Sequence, residues 1–354
     1  VSADRRATVI GTGLIGGSIA LALRANGWHV SGTDDDADRL TRALDLRVVD
    51  AAGPDPDSAI TFVATPVGAV PAAARRALEA TAGAVTDVGS VKAAVVAAVD
   101  HPRFVGGHPM AGSELEGLDG ADAAMFTGAV WVLTPVPGTD DDAFSLTRSV
   151  VRDLGAEVVV IPPDRHDRLV AVVSHVPHLT AATLMGIADQ RADEHAALLR
   201  LAAGGFRDMT RIAAGHPGIW PDICAENREA IVEVLDELVE RLSRTRDLVA
   251  AADRTHLLEV LTQARRARLN LPGRFSRPDE LAELRVPVFD RPGEIATICT
   301  LATELGVSIL DIEVAHSAEG DRGVLVLLVE KELAERLRGG LMTGGYRPVL
   351  QALT

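Results

Sequence analysis

The sequence predicts an α/β chain. It opens on a doubly wound sheet, continues through an all-helical domain, and ends in a small α+β domain of βαββαβ order. Three observations carry this. Short apolar runs alternate with helical patterns over residues 1–162, and the periodicity is helical over 163–271. A proline-, glycine- and charge-rich linker at 272–282 then precedes about 70 residues, 283–354, in which strand and helix patterns alternate again.

The first segment explains the sheet. Residues 7–10 read as a buried parallel strand, followed by Gly11, Gly13 and Gly16 in G-x-G-x-x-G spacing and by a helical pattern over 15–23. Gly11 permits the tight turn, Gly13 lets the backbone approach a pyrophosphate, and Gly16 lets the helix pack closely. The helix N-terminus supplies amide donors to the phosphates. Gly27 stops the helix, and a strand at 29–33 ends at Asp34, about 20 residues beyond the first glycine, where a ribose 2′-hydroxyl lies in such folds. This is the Rossmann-type dinucleotide pattern. Asp34, with Asp35 and Asp36 beside it, repels a 2′-phosphate, and the first arginine after the strand is Arg39. The expected cofactor is NAD, lined by Gly11, Gly13, Leu14, Ile15, Gly16, Asp34, Thr65 and Pro66.

The βα rhythm then continues. A strand at 60–64 exits into T-P-V, and a helix spans 69–80. A short strand at 85–87 runs into G-S-V-K and a helix over 91–99. A strand at 104–106 is followed at once by G-H-P-M-A-G-S-E, and strands at 130–133 and 157–161 complete the sheet. Open α/β sheets bind ligands outside the carboxyl ends of their strands, where Thr65, Ser90 and His108 all fall.

Composition narrows the function. Fifty acidic against 35 basic residues give a net charge of −15, which disfavours nucleic acid or an anionic membrane as partner. An anionic substrate then needs a locally basic pocket. Two cysteines are too few for a disulfide framework or a four-ligand zinc site. No basic-then-apolar leader precedes the first strand, and no apolar run reaches the roughly 18 residues of a spanning helix, so the chain is expected to be cytoplasmic.

Pro162 and Pro163 break the sheet pattern, with Asp164 as the expected N-cap of the first helix. Further on, Ile231, Leu235, Leu238, Leu242, Thr245 and Val249 recur at spacings of four and three, a seam that suits a helix–helix homodimer interface or a neighbouring helix of the same subunit. In the last segment a strand at 284–289 leads through Asp290, Arg291, Pro292 and Gly293 into a helix over 294–305, closed by Gly306. Strands at 307–314 and 323–329, a helix at 331–338 and a strand at 346–350 follow, and Pro287 places the first of these strands at a sheet edge.

Five motifs in this order, G-x-G-x-x-G-x-S, D-V-G-S-V-K (87–92), G-H-P-M-A-G-S-E (107–114), S-H-V-P-H (174–178) and D-M-T-R-I-A (208–213), make residues 7–270 resemble the prephenate dehydrogenases. The last segment resembles an ACT domain, the kind that binds amino acids as regulators. The resemblance implies NAD-dependent oxidative decarboxylation of prephenate to 4-hydroxyphenylpyruvate in tyrosine synthesis. It also implies feedback by an amino acid, tyrosine first among them, bound near Asp290, Arg291, Pro292 and Gly293.

The implied roles suit the residue types. A neutral histidine accepts a hydroxyl proton near neutral pH, the part the resemblance gives His108. Ser90 either orients that hydroxyl or His108, or caps the helix that follows it. Arg211 holds a substrate carboxylate, which a guanidinium does bidentately. His175 and His178 share one helical face; the resemblance turns His178 to the substrate, with His175 either beside it or structural, and adds Ser113 as a contact. No third ligand accompanies the two histidines, so no metal is expected. Glu114 and Asp208 match acidic positions at the family's active-site entrance, and Trp220 reads as a core or dimer contact. Arogenate is the alternative substrate. An alternative of another class, a catalytically silent NAD and amino-acid sensor, has no reason to keep Ser90, His108 and Arg211 together.

Overall fold

The computed structural model describes residues 5–112, 115, 117–192, 198–270, 281–289, 291–316 and 322–352. They fall into two compact units, Val1–Leu199 with Met209–Glu240, and Arg200–Asp208 with Arg241–Thr354.

The first unit is built on eight strands: β1 (Arg6–Ile10), β2 (His29–Thr33), β3 (Ala51–Ala52), β4 (Ile60–Val63), β5 (Ala84–Asp87), β6 (Phe104–Pro109), β7 (Val130–Thr134) and β8 (Glu157–Val160). Their order is β3-β2-β1-β4-β5-β6-β7-β8. The chain leaves β1 in one direction for β2 and β3 and returns to its other side as β4, so the strand order reverses between β1 and β4. Dinucleotides bind at that crevice. All neighbours run parallel except β6 and β7, which pair antiparallel from Gly106–Thr134 to Pro109–Trp131.

Helices α1 (Leu14–Ala25), α2 (Ala37–Asp45), α3 (Val70–Ala80), α4 (Ala93–Val99) and α5 (Asp141–Asp153) cover the sheet. Side chains alternate across a strand, so successive residues of β4 feed different cores. Phe62 joins Ile19 and Leu23 of α1 with Phe126 and Trp131. Val63 joins Val70, Ala73 and Ala77 of α3 with Val95, Val96 and Val99 of α4. With so few aromatic residues in the chain, Trp131 anchors the first core, its ring edge-on to Phe62 at 6.2 Å and tilted against Phe126 at 5.0 Å.

The helical region begins with α6 (Pro163–Val170), passes through one π turn (Ala171–His175) and continues as α7 (Val176–Ala192). Pro162 takes the cap position of α6, while Asp164 sits in its first turn and pairs with Arg168 at 2.6 Å, so the expected Asp164 cap is not formed. By length and composition alone the continuous run Pro163–Arg191 matches a membrane-spanning helix, contrary to the sequence expectation. A helix packed in a protein core passes the same test, and Ala171 and Val176 are buried against Ile231.

Short turns and helices α8 (Gly204–Thr210) and α9 (Trp220–Glu226) lead to the long α10 (Arg228–Ala250) and to α11 (Arg254–Leu269). On α10 the predicted seam divides. Ile231, Leu235 and Leu238 pack into the core formed with α7, whereas Leu242 and Val249 are exposed.

The second unit contains a four-stranded antiparallel sheet of β9 (Leu281–Phe289), β10 (Ile309–His316), β11 (Arg322–Glu330) and β12 (Val349–Ala352), in the order β10-β11-β9-β12. With α12 (Glu294–Glu304) and α13 (Lys331–Thr343) it forms the expected βαββαβ order. Its core is Leu284, Val286, Ile298, Leu325, Leu327, Leu337 and Leu341. Pro287 is not on an edge strand, since β9 is central. It pairs with Val324 of β11 on one side, and on the other β12 stops at Arg285. The missing N–H therefore breaks no ladder bond on the β12 side.

Candidate active site

At the strand-order reversal, Gly11 leaves β1 with φ +91°. A Cβ there would stand 2.4 Å from the Ala64 carbonyl oxygen, and one on Gly16 would stand 1.8 Å from that of Gly11. Both glycines are thus required by the turn itself. Space above Gly13 is open, and as the N-cap residue of α1 it offers no side-chain acceptor to the first amides. Leu14 and Ile15, in the first turn of α1, are half-buried. Across the crevice, Thr65 Oγ1 is buried with no protein partner, and Pro66 is exposed. Free helix amides, open space above Gly13 and an orphan hydroxyl fit a bound pyrophosphate.

Asp34 closes this end. Its Oδ2 accepts from the Thr12 amide at 2.7 Å and the Thr12 hydroxyl at 2.9 Å, and its Oδ1 from the Asp36 amide at 2.9 Å. Burial opposes the charge, but these donors together with Arg39 hold the carboxyl below its usual pKa. Arg39 reaches Asp34 Oδ1 at 3.1 Å. Although Arg39 follows five residues after Asp34, α2 turns it back over the carboxylate, so an arginine does stand beside the acid expected to repel a 2′-phosphate.

The chemistry-bearing end lies along β5 and β6. His108 is within β6 rather than after it, opposite Val132 of β7, and is buried. Its Nδ1 lies 2.8 Å from His166 Nε2, and His166 Nδ1 lies 2.8 Å from Asp167 Oδ1. Asp167 also accepts from the Lys92 and Ala93 amides, each at 2.8 Å. The first amides of α4 are thus capped from α6. Ser90 is not the cap of α4, whose own N-cap residue, Lys92, makes no side-chain cap bond. Ser90 lies half-buried in the loop between β5 and α4.

Lys92 is fully buried, its ammonium paired with Asp87 and donating to the Gly107 carbonyl at 2.8 Å. Asp87 in turn accepts from the Gly89 and Gly107 amides at 2.9 and 3.0 Å. A lysine so deep persists only because its partner is present. Burial, then the neighbouring His166, Lys92 and His175, push the His108 pKa well below the ordinary histidine value, so the ring is neutral around pH 7.

The π turn brings in the other histidines. His175 Nδ1 accepts from Asn227 Nδ2 at 3.2 Å, and the same amide nitrogen donates to the Asp167 carbonyl at 2.8 Å. With Nδ1 accepting, a neutral His175 carries its proton on Nε2, a buried atom with no protein partner. Burial lowers its pKa to about 4. His178 stacks on Trp220 at 3.6 Å between ring centres, and His175 meets the same ring edge-on at 6.2 Å. Trp220 also packs against the α3–α4 core, so it serves both as core and as the platform on which these histidines are set.

Arg211 opens the turn Arg211–Ala214, which packs on α7, and the His178 ring lies close to Gly215 just beyond it. Asp208 is exposed on α8. In the second unit the Arg291 guanidinium covers the Phe289 ring at 4.8 Å, and Gly293, at φ +95° after Pro292, leads into α12. Ser113, Glu114 and Asp290 lie outside the described residues.

Sequence reasoning passed over Asp87, Lys92, His166, Asp167 and Asn227. Asp87 and Lys92 were in a quoted motif, and a lysine at the head of an all-apolar helix was their signal. Nothing local marked His166 or Asp167 as partners of residues 58 and 75 positions away.

A doubly wound sheet with a glycine-rich reversal, followed by helices that set histidines behind its carboxyl end, defines a nucleotide-dependent oxidoreductase. The family model described as "Prephenate dehydrogenase, nucleotide-binding domain" matches residues 19–160, and "Prephenate dehydrogenase, dimerization domain" matches 162–263. The chain belongs to the prephenate dehydrogenase family. It is 34% identical to the prephenate dehydrogenase of Bacillus subtilis (strain 168) over 331 residues, 89% of each chain. It is 32% identical to the cyclohexadienyl dehydrogenase of Zymomonas mobilis over 278 residues, 74% of this chain and 94% of that one. Among solved structures, prephenate dehydrogenase from A. aeolicus in complex with hydroxyphenyl propionate and NAD+ superposes with a TM-score of 0.70 at 29% identity, covering 75% of this chain and 98% of that one. Synechocystis arogenate dehydrogenase superposes at 0.64 with 30% identity, covering 74% and 98%.

Proposed function

We propose that this enzyme converts prephenate to 4-hydroxyphenylpyruvate and carbon dioxide with NAD as the oxidant, a step of tyrosine synthesis. The observation that carries the reading is His108, buried, neutral and fixed at the carboxyl end of β6. Bound NAD supplies a hydride acceptor at its nicotinamide, and Gly11, Gly13, Leu14, Ile15, Gly16, Asp34, Thr65 and Pro66 are the residues that would hold it. His108 Nε2 takes the C4 hydroxyl proton as hydride leaves C4. It returns that proton to the phenolate once the ring carboxylate has left as carbon dioxide, its bonding pair completing the aromatic ring. Ser90 orients the hydroxyl. Arg211 holds a carboxylate, and His175 and His178, with Ser113, line the substrate. Glu114 and Asp208 guard the entrance.

In this reading residues 1–162 bind the nucleotide, and 163–271 hold substrate and pair with a second copy. Beyond the 272–282 linker, residues 283–354 form an ACT-like module that binds tyrosine through Asp290, Arg291, Pro292 and Gly293. The setting is the cytoplasm. Arogenate is the second reading, favoured by the likeness to the Synechocystis arogenate dehydrogenase.

The test is NADH formation from prephenate and from arogenate, each with NAD and with NADP, repeated with tyrosine. Turnover of prephenate with NAD, suppressed by tyrosine, is the expected result. Preference for arogenate keeps the chemistry and replaces the substrate. Silence with all four pairs, despite NAD binding, leaves a sensor.

A further inference from the structure

The reaction needs His108 in one particular tautomer, and the structure holds a device that selects it. We propose that His166 and Asp167 are positioning residues that fix the proton of His108 on Nδ1 and leave Nε2 as the base. The inference rests on the reading of His108 as the proton acceptor.

Asp167 takes two backbone amides, from Lys92 and Ala93, besides the His166 ring, so its carboxylate has acceptor work on both oxygens. A carboxylate has no proton to give, so His166 Nδ1 must carry the hydrogen of their 2.8 Å bond. A neutral His166 then presents a lone pair at Nε2, and His108 Nδ1, 2.8 Å away, must be the donor. A neutral histidine has one ring proton. With it spent on Nδ1, the lone pair is on Nε2. The reverse polarity would need His166 doubly protonated, and Nε2 of His108 would then carry a proton and accept nothing.

The rings meet edge-to-face at 76°, with centres 5.0 Å apart. The remaining groups around the pair are few. Lys92 approaches from the loop before α4 with its charge held by Asp87 of β5, and His175 approaches from the π turn. Both oppose a positive charge on His108, and the lone pair at His166 Nε2 follows from the hydrogen its Nδ1 gives to Asp167.

The same chain works during turnover. When Nε2 of His108 takes the hydroxyl proton, the ring becomes an imidazolium and its Nδ1–H···Nε2 bond becomes charge-assisted, hence stronger. Asp167 lies behind that bond to balance the charge. No proton needs to leave His108 through Nδ1, and the one taken at Nε2 returns to the phenolate.

The experiment compares wild type, His166→Leu and His166→Gln as full chains. It measures kcat and KM for the turned-over substrate, NAD affinity by tryptophan fluorescence, and the pH dependence of kcat. Losing the acceptor in His166→Leu should lower kcat about 10–100-fold, with KM and NAD affinity within about twofold. A charged His166 would hold the His108 pKa down, but a neutral acceptor favours the protonated ring, so its loss should move the acid limb of kcat to lower pH in this variant. A move to higher pH would mean that His166 is a charged donor and would overturn the proposal. In His166→Gln the amide oxygen replaces Nε2 as acceptor, and most of both effects should be reversed.

Unchanged kcat and acid limb in His166→Leu would overturn the proposal, as would equal losses in both variants accompanied by lost NAD binding. His108→Asn separates the two levels. Turnover that survives His108→Asn removes the base itself, whereas an inactive His108→Asn beside a fully active His166→Leu removes only the positioning role. A measurement on the wild type does not depend on variants folding. Long-range 1H–15N spectra, with His108 assigned by its loss in His108→Asn, should show the Nδ1–H tautomer. The Nε2–H tautomer would overturn the proposal.

Discussion

Asp34 shows how much one side chain decides. Placed where the proposed NAD ribose would meet it, it also pins Thr12 and carries Arg39 across its face. Removing the carboxylate releases a guanidinium where a 2′-phosphate would sit. Asp34→Ser should therefore narrow the NAD over NADP preference in kcat/KM by about tenfold or more, and adding Arg39→Ala should abolish the gain with NADP. The two buried histidines make a second prediction. His175 stays neutral down to about pH 4 in the folded chain, against 6.5 as its ordinary value, and His108 is also lowered. Between those values the unfolded chain binds protons that the folded one refuses. The stability they leave intact above about pH 6.5 is thus lost as the pH falls toward 4, at up to about 1.4 kcal/mol per pH unit for each histidine. Urea midpoints between pH 7.5 and 5 should show this slope, and His175→Gln should reduce it by about half. His108 and His175 were named from the sequence because motifs surround them. Their supports, His166 and Asn227, were not, because a hydrogen bond between distant segments leaves no mark on either segment's pattern.

At the scale of elements, the sequence located strands and helices well where one physical signal acted alone. The alternation in β9 and the apolar run of β4 are of that kind. It erred where a partner intervened. The helix read from Val91 starts at Ala93, because its cap arrives from α6 rather than from Ser90. His108 looked like a loop residue because Gly106 and Gly107 suggest a strand's end, and only pairing with β7 extends β6 through it. The π turn was invisible, since one extra residue in a helical turn leaves the apolar period almost unchanged. The cap gives a prediction. Asp167→Ala strips the acceptor from two amides and from His166, and should cost about 2–4 kcal/mol in urea unfolding, more than a surface cap.

For the molecule as a whole, the division of the α10 seam matters most. Leu238 and the residues before it are satisfied within the chain, while Val239, Leu242 and Val249 remain exposed. We propose that a second copy covers that stripe, a reading supported by the dimerization-domain match over 162–263. Leu242→Glu with Val249→Glu should turn a dimer into a monomer in light scattering, by placing a charge into each of two apolar contacts. A chain that is a dimer with or without the glutamates would place the interface elsewhere. The net charge of −15 also fits this scale. It keeps copies apart except where an apolar stripe brings them together.

One feature reaches beyond stability and rate. Asp167 closes the start of α4 and, through His166, holds the ring of His108. A residue with two such duties has almost no freedom to drift. Random variation should leave position 167 fixed while position 166 admits an acceptor of similar reach. A change of substrate in this scaffold would then have to come from residues other than these, because the seat of His108 is tied to the architecture that bears it.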